Sequence, residues 1–177
     1  MPANPALDGK YRNVTVSVNR RDVTVVYRRG YTARAEPPPI DVREIVTRER
    51  LRDAATTDLA QDDITVRASA TLAGGAARQV RVDLTIDPSR LTLTEAGGRH
   101  HGVIDLLILC GNTRQEVIGT VSQQMTLDMD EAHYQQALAG GIPYTATVPV
   151  TGVVNRVKVL VYDFPSDRLG AANVTVK

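Results

Sequence analysis

The apolar run from Val103 to Cys110 most constrains what this chain can fold into. Seven of its eight side chains are apolar and the eighth is Asp105. Both faces of such an extended segment must be covered, which predicts a buried central β-strand. An unpaired buried carboxylate is costly, so we expect Asp105 to be bonded to an arginine or to backbone amides where the strand face meets the sheet's rim. The alternative is a functional acid that faces a pocket.

The flanking segments alternate apolar and polar residues, as half-buried strands do. Gly119 interrupts one of them and predicts a bulge or a close backbone approach. Seven or eight closely spaced strands with one short inserted helix predict a mainly β fold, an antiparallel β-sandwich of immunoglobulin or fibronectin type III character. The expected elements are a hairpin of 11–18 and 22–27 linked at 19–21, a hairpin of 64–72 and 80–86 with a Gly74-Gly75 turn, a short strand at 91–93, and strands at 117–127, 144–150, 154–162 and 171–176.

A helix is predicted after the proline-rich spacer. Asp41 can cap a helix over 42–55. Its narrow apolar face, formed by Val42, Ile45 and Val46, indicates a position on the surface of a larger body.

The spacer also suggests how the chain is divided. Pro37 to Pro39 hold the backbone extended and remove hydrogen-bond donors, so they are typical of a boundary. The expected parts are a β-hairpin with its linker at 1–36, a linker helix at 37–60 and a β-sandwich domain at 61–177.

Four potential metal ligands lie close together at Asp128, Asp130, Glu131 and His133. Asp128 and Glu131 also have the spacing of a capping box at the head of a helix over 129–138. Since no calcium-loop spacing is present, we expect the cluster to cap that helix. The alternative is a metal-dependent binding domain or hydrolase that uses Asp128, Asp130 and His133.

No other pattern points to catalysis. His100 and His101 are adjacent, and on a strand they would lie on opposite faces. The sequence has no Gly-x-Ser-x-Gly motif, and Cys110 lies in the most buried segment. Neither Gly74-Gly75 nor Gly97-Gly98 has the spacing of a nucleotide-binding loop. We therefore expect no enzymatic activity, no cofactor, and no catalytic, cofactor-binding or metal-binding residues.

Charge and hydropathy narrow the range of partners. The formal net charge is +1, with 21 basic and 20 acidic residues, which argues against nucleic acid as a partner. No apolar stretch approaches the roughly 18 residues of a membrane span, so no membrane insertion is expected. The start, Met-Pro-Ala-Asn-Pro, lacks the features of a signal peptide, and the localisation stays open on these grounds.

Residues 4–12 read Asn-Pro-Ala-Leu-Asp-Gly-Lys-Tyr-Arg, and residues 23–31 read Val-Thr-Val-Val-Tyr-Arg-Arg-Gly-Tyr. These stretches resemble the end of the von Willebrand factor A-related domain in a family of bacterial proteins common in Acidobacteria. In that family a D-G-x-[YF]-R segment opens a strand and an [RK]-[RK]-G-Y segment closes the hairpin. Leu93 to Asp105 resembles a further motif of the family, L-x-x-x-x-G-x-x-x-G-x-[IV]-D.

The resemblance implies the carboxy-terminal part of a longer, exported protein, extracellular or periplasmic, with residues 1–31 as an orphaned hairpin. Ion-dependent von Willebrand A domains hold their cation with an Asp-x-Ser-x-Ser loop, which this sequence lacks. No metal-ligating residue is therefore carried over. We expect a non-enzymatic structural or protein-interaction module whose partner is a protein, either the missing upstream domain or another chain.

Overall fold

The computed structural model describes residues 6–20, 25–34, 41–57, 59–73 and 78–176. Its contacts divide the chain into two units, Met1–Ile40 and Asp41–Lys177. No helix in the described ranges is both long and apolar enough to cross a membrane. The elements are β1 (Tyr11–Asn13), β2 (Gly30–Thr32), α1 (Val42–Thr56), β3 (Val66–Ala73), β4 (Gln79–Ile86), β5 (Thr94–Ala96), β6 (Arg99–Gly111), β7 (Val117–Asp130), α2 (Glu131–Gly140), β8 (Ile142–Pro149), β9 (Arg156–Asp163) and β10 (Arg168–Thr175).

The first unit contains an antiparallel hairpin, in which Tyr11 of β1 faces Thr32 of β2. Within the described residues the predicted strand bounds, 11–18 and 22–27, are wrong: the strands are Tyr11–Asn13 and Gly30–Thr32, and residues 14–18 and 25–27 lie outside them. Glycine fits at position 30 in this pairing, because a β-carbon there would collide with the Tyr11 ring. Part of the predicted second strand and the Arg21 position of the link lie outside the described residues.

The second unit consists of two antiparallel sheets that share one core. The larger sheet has five strands in the order β10-β9-β6-β5, with β7 paired to β6, and the smaller sheet has the order β3-β4-β8. Val82 and Ile86 of the small sheet belong to the same buried cluster as Leu106, Ile108 and Val159 of the large one. The predicted mainly β, antiparallel, sandwich-like fold is confirmed.

Strand β6 is the centre of the large sheet, as its apolar sequence predicts. It pairs with β7 along its length and with β9 over Asp105–Gly111 on the other side. The even-numbered side chains from Ile104 to Cys110 are at most 1% exposed. Leu107 and Leu109 alternate with them, so they lie on the outer face of the sheet and are half-buried.

The hairpin of β3 and β4 pairs Val66 with Ile86, which confirms the predicted second hairpin. Its Gly74-Gly75 turn lies outside the described residues. The short strand predicted at 91–93 is found three residues later, at β5. Strands β8 and β9 follow each other along the chain but belong to different sheets, so the Thr151-Gly152 connection crosses between them.

Gly119 combines both features that the sequence predicts for it. The register of β6 against β7 shifts between Cys110 and Gly111, which leaves a bulge beside Gly119. A β-carbon at Gly119 would lie 2.6 Å from the carbonyl oxygen of Pro149. The bulge therefore brings the β7 backbone against the end of β8.

Helix α1 begins where the sequence predicts, because the Asp41 side chain accepts a hydrogen bond from the backbone N–H of Glu44. Its buried face is different from the predicted one. Thr47, Leu51 and Ala54 are its buried residues, at the i, i+4, i+7 spacing of one helix face.

The predicted apolar face of α1 is wrong, since Val42, Ile45 and Val46 are 37 to 65% exposed. The buried face contains a threonine and an alanine, so apolarity alone does not mark it. Leu51 and Ala54 pack in one cluster with Leu160, Tyr162 and Leu169 of β9 and β10. The helix consequently belongs to the same unit as the sheets, whereas the sequence predicts a separate linker helix at 37–60.

Helix α2 is capped by Asp130, whose side chain accepts a hydrogen bond from the backbone N–H of His133 at 2.8 Å. The predicted cap at Asp128 is wrong by two residues, because β7 stays paired with β6 up to Asp130. Gly141 ends the helix with a φ of 83°, in agreement with the predicted glycine stop.

Candidate functional site

Helix α1 covers only part of the outer face of the large sheet. It packs over β9 and β10, and the neighbouring outer face of β6 and β7 stays open. The result is a groove of about 680 Å³ between the helix and these two strands. Leu107 and Leu109 of β6 contribute apolar side chains to it, and Ser122 and Gln124 of β7 contribute polar ones.

One part of this groove is built around Asp105. Arg43 of α1 donates a hydrogen bond from Nη2 to Oδ2 of Asp105 at 2.6 Å. The side-chain oxygen of Gln124 accepts a hydrogen bond from Nη2 of the same guanidinium at 3.2 Å. The Arg43 guanidinium also lies 5.4 Å from the centre of the Phe164 ring. The expected arginine partner of Asp105 is confirmed, although Asp105 lies on the central strand and not at a rim, because α1 brings Arg43 above the sheet.

Two further acids line the groove, and both have local partners. Glu44 forms an ion pair with Arg48 at 3.4 Å, and Asp41 caps the helix. Asp105 itself faces this groove as well as Arg43. The carboxylates of the groove are therefore engaged by neighbours in the protein.

The groove continues into a smaller cavity of about 280 Å³, since Ala55 and Leu109 line both. Arg156 and Lys158 contribute to this cavity, and no carboxylate is among the described residues that line it. Lys158 donates a hydrogen bond from Nζ to the carbonyl oxygen of Thr57 at 2.7 Å, beyond the helix end. This end of the groove is basic.

Two cations along the groove have no partner among the described residues: Arg52 of α1 and Arg156 of β9 make neither a hydrogen bond nor an ion pair there through their side chains. The side-chain hydroxyl of Thr47, a groove-lining residue, is buried and also lacks a hydrogen-bond partner within the described ranges. A buried hydroxyl of this kind is expected to hydrogen-bond to a bound molecule or to water, whereas Arg52 and Arg156 are exposed to solvent.

The acidic cluster predicted near residue 130 is divided among separate contacts. Asp130 and His133 are brought together, with 2.7 Å between Oδ1 and Nδ1. Asp128 instead accepts a hydrogen bond from Nε of Arg99 at 2.7 Å, and its Oδ1 lies 3.2 Å from Nδ1 of His101. Across the described part of the chain, no group of three or more His, Cys, Asp or Glu side chains is placed to hold a metal ion.

His100, the third histidine, also pairs with an acid. The three acid–histidine pairs lie at the corner where β6, β7 and α2 meet. Nε2 of His100 lies 2.8 Å from Oε2 of Glu131, and the imidazole stacks on the Tyr134 ring at 3.9 Å. Hydrogen bonds lower the pKa values of the carboxylates: from Arg99 for Asp128, from the His133 backbone for Asp130, and from Gln135 and His100 for Glu131. These acids stay charged and hold the corner together.

No protein-family model matches the chain, and no curated protein matches it significantly. The resemblance of residues 4–31 to von Willebrand A-related proteins therefore stays a prediction.

Proposed function

We propose that this chain is a non-catalytic protein-interaction module. Its ligand, in this proposal, is an acidic segment of a partner protein that carries apolar side chains. The observation that carries the proposal is the groove beside α1, with two half-buried leucines of the central strand next to a basic end.

The apolar part of the groove supports a protein ligand. Leu107 and Leu109 lie on the strand that is most completely buried on its other face, yet α1 leaves them half-exposed. Burying an apolar side chain contributes roughly 25 cal/mol for each Å² removed from water. Leu or Val side chains of a partner segment would fill this space and remove these leucines from water.

The charge of the groove supports an acidic ligand. Asp105 is neutralised by Arg43, whereas Arg52 and Arg156 have no partner among the described residues. A carboxylate placed near them would gain charge-assisted hydrogen bonds without displacing an existing ion pair. A basic segment would meet no carboxylate among the described residues that line the smaller cavity.

The resemblance of residues 4–31 supports a place for this module in an exported, von Willebrand A-related bacterial protein. The partner segment would then come from an upstream domain or from another protein at the same location. This part of the proposal rests on the sequence alone.

The test is selection from a library of random peptides displayed on phage, with the full chain immobilised. We expect enriched peptides to combine Asp or Glu with Leu or Val and to bind less tightly as the salt concentration rises. Arg156→Glu should lower the affinity of a selected peptide by about tenfold or more, because the attraction between Arg156 and an acidic residue of the peptide is replaced by repulsion. Leu109→Glu should also lower the affinity, because it removes the apolar contact between the groove and the peptide.

Ser69→Lys is the matched control, since Ser69 is an exposed strand residue on the small sheet. Its peptide affinity should equal that of the wild type. The groove is refuted as a binding site if the selected peptides bind the wild type, Arg156→Glu, Leu109→Glu and Ser69→Lys equally. It is also refuted if the library yields no enriched peptide.

A further inference from the structure

Strand β7 leaves one edge of the large sheet open. Among the described strands it pairs only with β6, although it runs for 14 residues. Sheet edges are usually protected against pairing by lysine, proline or inward-pointing charge. From Gly119 to Leu127 the strand contains no charged residue and no proline.

Among the described residues, other parts of the chain engage this edge near its two ends. Near the start of β7, Thr151 donates its backbone N–H to the carbonyl oxygen of Ile118 at 2.9 Å. Near its end, Asp128 introduces charge and is ion-paired with Arg99. Within the described ranges, no strand pairs with the segment from Thr120 to Thr126 on this side.

The two faces of this segment differ. Val121 and Met125 are directed toward the shared core and pack against it while staying partly exposed. On the outer face, all side chains are polar, uncharged and exposed: Thr120, Ser122, Gln124 and Thr126. A strand added to this edge would cover the partly exposed apolar residues.

We infer that the occupant of this edge is a second copy of the chain, paired antiparallel through β7. A pairing centred on Gln123 places Thr120 opposite Thr126 of the partner subunit, and Val121 opposite Met125 of the partner subunit. A two-fold axis perpendicular to the sheet keeps the inner faces of both copies on one side. The edge is thus complementary to itself.

Charge and side-chain type favour this occupant over an unrelated strand. Across the interface Val121 meets Met125, and the uncharged polar residues of the outer face meet one another, which are cross-strand pairs that stabilise sheets. Gln123, whose side-chain amide donates to the Tyr144 hydroxyl of its own copy, lies opposite Gln123 of the partner subunit at the axis. No like charges are opposed, because the segment has none. The product is one continuous sheet of ten strands, five from each copy.

This inference goes beyond the proposed function and does not depend on it. If both hold, the two grooves lie on the same outer face of the joined sheet, with Ser122 and Gln124 of each copy between its groove and the axis. A partner with two acidic segments would then bind with avidity.

The test is sedimentation equilibrium of the full chain over a range of concentrations. We expect a mass of twice 19.2 kDa for the wild type. The double variant Thr120→Lys, Thr126→Lys places lysines on the free edge, as natural edge strands do, and should raise the dimer dissociation constant by about tenfold or more. Ser69→Lys, on an exposed position of the small sheet, should leave it unchanged.

Cross-linking gives an independent readout. Opposed residues of an antiparallel pair have Cα atoms roughly 4.5–5.5 Å apart, within disulfide range. The double variant Thr120→Cys, Thr126→Cys should therefore form a covalent dimer under mild oxidation, whereas Ser69→Cys should not. A wild type that stays monomeric at all concentrations overturns the inference. The inference is also overturned if the folded lysine variant dimerises as tightly as the wild type. It is equally overturned if the Ser69→Cys variant cross-links to the same extent as the Thr120→Cys, Thr126→Cys variant.

Discussion

The guanidinium Nη2 of Arg43 lies 2.6 Å from Oδ2 of Asp105, and this contact joins α1 to the middle of the central strand. The two residues are 62 positions apart in the chain. Asp105 is 8% exposed, so its carboxylate depends on partners within the protein to offset the cost of burial. The same pair shapes the groove, because it fixes the first turn of the helix above β6.

Removing Arg43 should therefore destabilise the protein. Arg43→Ala leaves a largely buried carboxylate without its cation, and we expect a loss of about 1–3 kcal/mol in the free energy of unfolding. The measurement is urea denaturation followed by circular dichroism. Arg48→Ala is the matched control on the same helix: its ion pair with Glu44 is exposed, and its loss should cost about 0–0.5 kcal/mol. Equal losses would contradict this account of the Asp105 pair.

The close approach at Gly119 leads to a prediction about packing. An alanine β-carbon would lie 2.6 Å from the carbonyl oxygen of Pro149, so the strands must separate there, and Gly119→Ala should cost about 1–3 kcal/mol. Gly140→Ala, in α2, is the matched control, because a β-carbon there meets no atom within 4 Å. It should leave stability unchanged or raise it by up to about 1 kcal/mol, as alanine favours helix. Thermal unfolding of both variants decides the point.

Much of the sandwich could be predicted from alternation alone. Val80, Val82, Leu84 and Ile86 read as one inward face, and all four are buried. Alternation fixes which side chains share a face, but it does not fix the partner of a strand. The assignment of β8 and β9 to different sheets was therefore beyond the sequence, since it depends on contacts distant along the chain.

The groove could not be predicted for a related reason. Leu107 and Leu109 belong to an apolar run that reads as buried on both faces, and whether they are covered depends on where α1 lies. That position is set by Thr47, Leu51 and Ala54, which an apolarity pattern does not single out. The partner of Asp105 was predictable in type, because a buried carboxylate needs a cation or donors, but its identity as Arg43 was not.

The corner acids make stability dependent on pH. The folded pKa values of Asp128, Asp130 and Glu131 are lowered, so protonating these groups is harder in the folded state than in the unfolded chain. The stabilisation that these three carboxylates give the folded state is fully present above about pH 4–5, near their pKa values in the unfolded chain. It is lost as the pH falls through their lower pKa values in the folded state. We expect the melting temperature to decrease over this acidic range.

Asp130→Asn separates this titration from the cap itself, because asparagine can accept the same hydrogen bond from His133 but carries no charge. The variant should lose less stability between pH 6 and pH 3 than the wild type, as measured by differential scanning calorimetry. Identical acid profiles for wild type and Asp130→Asn would exclude a contribution of this carboxylate.

The single thiol reports on the integrity of the central strand. Burial raises the pKa of Cys110 to about 11, so at pH 8 the thiolate that reacts with disulfide reagents is rare, and the sulfur is also enclosed in the core. Native Cys110 should react with Ellman's reagent about 200-fold or more slowly than the same thiol in protein unfolded by guanidinium, whose pKa is near 8.5. The Ser69→Cys variant provides an exposed thiol on the folded protein and should react rapidly with one equivalent of reagent. Rapid reaction of two thiols in that variant would mean that β6 opens to solvent in the native state.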